Sequence, residues 1–225
     1  VTLPKSGTVF IGNSIVQSLG YDFTSVLVTS TFPKNIVWQP MVVDLMRGGM
    51  ASVSHMQPDQ HNTRALTNNG LTKIVLHNRD PRAACWSWFH FVAARHDEGA
   101  HMNAHRADWL MAMDPAERID VLIANFYTQC VEWLGGWMNL LKRDSPFEYL
   151  MISHTELLED EASYFRKLFA FYGIDAEPKL ARKHTGTHFR KGDNEEWRSG
   201  VTPDQSERMT AMLTDELCSF YGIER

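Results

Sequence analysis

Short apolar runs with strand character alternate with longer runs of helical period along this 225-residue chain, and no other feature constrains the fold as much. Strands are expected at Val1–Leu3, around Met50–His55, at Lys73–His77 and at Glu148–Ser153. Helices are expected at Gly7–Leu19, Asn35–Met46, Pro81–Arg95, Pro115–Leu141, Asp160–Tyr172 and Pro203–Tyr221. Strands joined through helices run parallel, and a parallel sheet is covered on both faces, so the expected class is α/β with a central parallel sheet flanked by helices. No repeat, linker or low-complexity tract divides the chain, and residues 1–225 are read as a single domain.

Composition narrows the partners. A formal net charge of -5 argues against nucleic acid or an anionic membrane, both of which favour a positive field, so any basic site must be local. Cys85, Cys130 and Cys218 are odd in number and lack paired spacing, which fits free thiols in a reducing, cytoplasmic setting. No run reaches the length of a membrane span and no signal peptide is visible, although the chain begins at the edge of its first motif and an upstream leader is compatible with that start.

Three turns suit an anion. In "LPKSGTVF" a short apolar stub meets a helical run through Lys5-Ser6-Gly7-Thr8. Helix N-termini carry unpaired N–H groups and the positive end of the dipole, Gly7 permits close approach, Ser6 and Thr8 offer hydroxyls, and Lys5 adds a charge. The alternative is an ordinary capped turn. In "KIVLHNRDPRAACWS" Arg79 ends an apolar strand and Ser87 lies two turns into the next helix, where the crevice of a parallel sheet takes ligands; the alternative is a local Arg79-Asp80 ion pair. In "FRKGDNEEWRS" Arg190, Lys191 and Gly192 form a compact cationic turn or a solvated one. Together they suggest a ligand with more than one phosphate-like group.

Histidines cluster at His90, His96, His101 and His105, where His96–Asp108 breaks the period and reads as a loop or lid. His101 and His105 have the spacing of two metal ligands on one helical face, but no carboxylate signature accompanies them, and no metal is expected. Trp86, Trp88, Phe89, Phe91, Met102, Trp109 and Met111 read either as an apolar acceptor pocket or as core, and the Trp133–Trp137 stretch either as core or as a contact in a possible homodimer.

The order "PKSGT", "RDPRAACWS", "RKG…W", with "VSHM" and "SHTELLEDEASYFRKLFAFYGI" between, resembles the sulfotransferases that use 3′-phosphoadenosine 5′-phosphosulfate (PAPS), over nearly the whole chain. The resemblance implies a P-loop-like nucleotide-binding fold and transfer of a sulfuryl group from PAPS to an acceptor hydroxyl, or an amine, releasing the bisphosphate PAP. It implies that Lys5, Ser6, Gly7, Thr8 and Val9 surround the 5′-phosphosulfate, that Phe10 stacks on adenine, and that His154 replaces a tyrosine with an adenine contact. Arg79, Ser87, Arg190, Lys191 and Gly192 fall on the 3′-phosphate site, with Thr185 and Thr187 as adenosine candidates, and His55 on the acceptor's base. Lys5 then stabilises the leaving group, and Ser87, with Arg79, fixes the register.

This chain departs from the pattern at Val9, where a threonine is common, at Val53, where many members carry a lysine, and at Glu195 and Glu196, where Gly and Asp are preferred. The acceptor is expected to be a small molecule, an apolar or aromatic alcohol, or a carbohydrate. An ATP- or GTP-dependent P-loop phosphotransferase shares the order of strand, loop and helix, but Lys5 precedes Gly7 and the full Gly-x4-Gly-Lys-Ser/Thr pattern is absent. A PAP-binding module without activity is the third reading.

Overall fold

The expected alternation is present with more interruptions than its period suggests. In the computed structural model the chain order is α1 (Thr8–Leu19), β1 (Asp22–Phe23), α2 (Gln39–Met46), β2 (Met50–Ala51), α3 (Gln60–Thr67), β3 (Lys73–Asn78), α4 (Pro81–Asp97), α5 (Ala104–Met111), α6 (Pro115–Leu122), α7 (Thr128–Lys142), β4 (Glu148–Ser153), α8 (His154–Glu159), α9 (Glu161–Phe171), α10 (Trp197–Gly200), α11 (Pro203–Ala211) and α12 (Asp215–Tyr221). The residues described are 1–28, 32–97, 104–143, 145–181 and 193–225, with backbone alone for 97 and 104–107. They group into two units, Val1–Arg79 with Trp133–Lys183 and Asp80–Glu132 with His184–Arg225.

In the first unit β3 and β4 pair in parallel from Lys73↔Glu148 to Asn78↔Ser153, and β1 and β2 pair in parallel through Asp22↔Met50 and Phe23↔Ala51. Residues 1–3 join the pairs. Leu3 N–H donates to the His77 carbonyl at 3.0 Å, His77 N–H to the Val1 carbonyl at 2.9 Å, and Thr2 N–H to the Ser54 carbonyl at 2.8 Å. Side chains alternate along β3: Val75 lies in a buried cluster with Ile11, Ile152, Leu157, Tyr164, Phe165, Leu168 and Phe169, while Ile74 and Leu76 are buried on the opposite face. That double burial explains why β3 reads as a continuous apolar run.

Several sequence expectations need correction. Only Met50–Ala51 of the Met50–His55 run forms a ladder, so His55 lies beyond the strand. The helix expected over Pro115–Leu141 contains a π-helical turn at Ile123–Tyr127, and the one expected over Pro203–Tyr221 is two helices, the second capped by the Thr214 hydroxyl on Leu217 N–H. Within the expected loop His96–Asp108, residues from Ala104 onward are helical. The capped helix Gln60–Thr67 was not anticipated, because its apolar content is low; Asp59 nonetheless starts it by accepting from Asn62 N–H.

In the second unit Arg82 is buried, pairs with Asp80 at 2.7 Å and packs over Trp197, with its guanidinium carbon 4.6 Å from the ring centre. Trp86 stacks on Phe89 and Trp88 on Phe126, so these three α4 aromatics pack against other rings; Trp109 is exposed. Among the described residues, no helix is long and apolar enough to cross a membrane, and no three His, Cys, Asp or Glu side chains gather as a metal site requires.

Candidate active site

The C-terminal edge of the parallel sheet in the first unit presents Leu3, Ser54, Asn78 and Ser153, the edge at which open α/β sheets bind ligands. Residues 4–7 turn from Leu3 into α1. Lys5 and Gly7 both adopt left-handed backbone, with φ 61° and 87°. Glycine does so readily, whereas a lysine there costs on the order of 1 kcal/mol.

The carbonyls of this turn are held by donors from within the protein. Ser6 Oγ donates to the Leu3 carbonyl at 2.5 Å, Arg79 Nη1 to the Lys5 carbonyl at 2.5 Å, and His77 Nε2 to the Ser6 carbonyl at 2.7 Å. A trans peptide carries its C=O and N–H on opposite sides, so carbonyls fixed inward aim the following N–H groups outward. The Gly7 carbonyl starts α1 by accepting Ile11 N–H at 2.9 Å. Among the described residues no side chain caps α1 and no acid lies in its first turn, a helix start of the kind that suits an anion. The Ser6 hydroxyl, which reads from sequence as a ligand donor, is fully buried and committed to the Leu3 carbonyl.

His55 folds back on this turn. Its Nδ1 lies 2.9 Å from the Thr2 carbonyl and 3.2 Å from Thr2 Oγ1, which is 3.0 Å from Thr8 Oγ1. A carbonyl only accepts, so Nδ1 carries the proton and Nε2 keeps its lone pair. Burial depresses the histidine's pKa, the bond to Thr2 partly opposes this, and the Lys5 charge adds to the depression.

The backbone after His55 is irregular yet each carbonyl has a donor: Asn35 Nδ2 to His55 at 3.0 Å, Trp133 Nε1 and Trp137 Nε1 to Met56 at 2.8 and 3.1 Å, and Asn62 Nδ2 to Gln57 at 3.1 Å. Both tryptophans are fully buried, which settles the choice left open for that stretch in favour of core. Between them Gly136 lets α7 approach closely, since a Cβ there would stand 2.8 Å from Pro58 Cγ.

Two cations meet beside the turn. Burial first, and Arg79 second, lower the Lys5 pKa from 10.5 to about 8. Arg79 itself is buried at the end of β3. Val9 is exposed on α1, Phe10 is half-buried with its ring 6.0 Å edge-on from Phe165, and His154 is buried at the start of α8 with its ring 6.3 Å from that of His77. Ser87 lies on α4 in the second unit, while Thr185, Thr187, Arg190, Lys191 and Gly192 lie outside the described residues. Sequence reading missed Thr2, His77, Asn35 and Tyr164. The one signal for His77 is a histidine inside the apolar run "KIVLHN".

The model of the sulfotransferase domain matches residues 1–185. The chain belongs to the sulfotransferase family. Among solved structures this sulfotransferase-family chain is similar to mouse sulfotransferase SULT7A1 complexed with PAP, at 18% identity and a TM-score of 0.64, covering 96% of this chain and 81% of that one. It is also similar to a sulfotransferase from Alicyclobacillus acidocaldarius, at 15% identity and a TM-score of 0.54, covering 100% and 96%. At these identities the likeness establishes a shared fold, the P-loop-like sulfotransferase fold. No match is found among curated protein sequences.

Proposed function

We propose that this chain transfers the sulfuryl group of PAPS to an acceptor hydroxyl and releases PAP. The observation that carries the reading is the pairing of His55 Nδ1 with the Thr2 carbonyl, which leaves Nε2 as a proton acceptor beside a turn suited to an anion. The acceptor O–H gives its proton to Nε2 as its oxygen bonds to sulfur, and the bond from sulfur to the phosphate oxygen breaks in line. Charge then grows on the 5′-phosphate, where Lys5 and the N–H groups of Ser6, Gly7 and Thr8 stabilise it. Val53 supplies no second cation, so Lys5 carries that task.

By the sequence motifs, Arg79, Ser87, Arg190, Lys191 and Gly192 are assigned to the 3′-phosphate, and Val9, Phe10 and His154 to the adenosine side. No step calls for a metal. Phe32, whose ring stands 6.4 Å from that of His55 at 85°, supports an acceptor with an apolar body, such as an aromatic or aliphatic alcohol. The family's solved PAP complex with the mouse enzyme supports the choice of donor.

The test is transfer of label from sulfur-labelled PAPS across a panel of alcohols, carbohydrates and amines, with PAP binding followed by calorimetry. His55→Ala is expected to lower turnover by about 10²- to 10⁴-fold while still binding PAP. Undiminished transfer by that variant, or no heat from PAP with the wild-type protein, overturns the proposal.

A further inference from the structure

We infer that His77 and Tyr164 are positioning residues that aim the Gly7 N–H of the anion turn. His77 is buried in β3, and both ring nitrogens are engaged: Nε2 stands 2.7 Å from the Ser6 carbonyl and Nδ1 2.9 Å from the Tyr164 hydroxyl. The Ser6 carbonyl can only accept, so Nε2 carries the proton and Nδ1 must accept from Tyr164. Tyr164 is itself buried on α9, its ring 5.5 Å from that of His77 and nearly perpendicular to it.

The hydroxyl thereby selects the tautomer. Without it the Nδ1–H form becomes competitive, and that form places a lone pair against the Ser6 oxygen. The Ser6–Gly7 peptide is planar, so its carbonyl held toward His77 points the Gly7 N–H the opposite way. Arg79 does the same for Ser6 N–H through the Lys5 carbonyl, and the third held carbonyl, that of Leu3, precedes Pro4, which has no N–H to aim. An apolar side chain at position 77 would fill the strand interior without the desolvation that a buried imidazole carries. What the histidine adds is orientation of one peptide.

The nucleotide readout rests on the function proposed above, so the experiment has one arm that does not. In that arm, nitrogen-15 spectra of the ligand-free protein report the His77 tautomer and the Gly7 amide. The Nε2–H form is expected in the wild type, with the Gly7 amide displaced in Tyr164→Phe and in His77→Leu. In the second arm PAP affinity is titrated.

Tyr164→Phe is expected to weaken PAP binding about five- to twenty-fold, the effect of one misdirected buried hydrogen bond, and to lower kcat at saturating donor as well, because the same N–H faces the charge that grows on the leaving phosphate. His77→Leu weakens binding at least as much, and His77→Gln, whose amide can still donate to Ser6, recovers part of that loss. Should His77→Leu fail to fold, Tyr164→Phe and His77→Gln decide. A Gly7 amide unmoved in Tyr164→Phe, or His77→Gln binding no better than His77→Leu, overturns the inference. A wild-type protein that binds no PAP overturns the proposed function, and the amide signals then decide this inference alone.

Discussion

His55 Nδ1 lies 2.9 Å from the carbonyl of Thr2, whose own N–H donates to Ser54, the residue before His55. The strand segment and the imidazole that follows it are therefore held to one residue from two sides, and the ring presents Nε2. Burial keeps this histidine neutral to lower pH than the ordinary 6.5. The acid limb of kcat/KM should accordingly fall below pH 6.5, with a plateau through neutrality. A pH–rate profile with the limb above 6.5 refutes this, and in His55→Ala the limb should disappear.

His77 links pH to stability. Its pKa is pushed down to about 3 in the folded chain, chiefly by burial, against an ordinary 6.5. The unfolded chain takes up a proton first as the pH falls, so this stabilisation is complete above 6.5 and lost progressively toward about 3. Within that window the loss is about 1.4 kcal/mol per pH unit from this group. Urea midpoints across the range measure it, and His77→Gln should remove that slope.

Lys5 behaves in the opposite sense toward its ligand and its fold. As the pH rises through about 8 the free turn loses its cation, so PAP affinity should be flat below that pH and weaken above it. In the folding balance the charged form is disfavoured: the unfolded lysine keeps its proton to about 10.5, so stability increases between about 8 and 10.5 and is reduced below. Lys5→Gly, which also relieves the left-handed backbone, should raise Tm and weaken PAP binding by at least tenfold. A variant with wild-type Tm and affinity contradicts both statements.

Gly7→Ala tests the turn without touching charge. The added methyl would stand 3.4 Å from Leu157 Cδ2, an ordinary contact, so the penalty comes from φ 87°. A loss of about 1–2 kcal/mol is expected by urea unfolding, with weaker PAP binding as the turn relaxes. A neutral substitution shows that the turn does not need this conformation.

Trp133 and Trp137 share one acceptor, the Met56 carbonyl. Replacing either by Phe leaves that oxygen one donor; replacing both leaves a buried carbonyl with neither indole. Each single change should cost about 1–3 kcal/mol, and the double change should exceed their sum by about 1 kcal/mol. Strict additivity in a double-mutant cycle removes the shared-acceptor account.

The α/β class was legible in the sequence, and the Lys5-Ser6-Gly7-Thr8 turn and His55 stand out as candidates there, because each is a local pattern. The apolar run of β3, the Lys5-Ser6-Gly7-Thr8 turn ahead of a helical period, and a histidine after an apolar stretch all lie within a few residues. The helix Gln60–Thr67 and the break between α11 and α12 have no such periodic signature. Their start signals are side-chain caps, and a residue such as Asp59 or Thr214 caps a helix only where the chain turns. From sequence Ser6 reads as an open donor, because a hydroxyl in a turn looks available; the fold commits it to the Leu3 carbonyl 2.5 Å away.

By itself, then, the sequence determined which residue types stand at the ends of the strands, since strand period and turn chemistry are short-range properties of the chain. The tertiary structure decided which way the peptides of the turn face and which nitrogen of each histidine holds its proton. Those outcomes depend on partners far away in sequence: Tyr164 for His77, Thr2 for His55, and Trp133 and Trp137 for the backbone after His55. A hydrogen bond to a buried carbonyl is set by where folding places its donor, and no local pattern encodes that position.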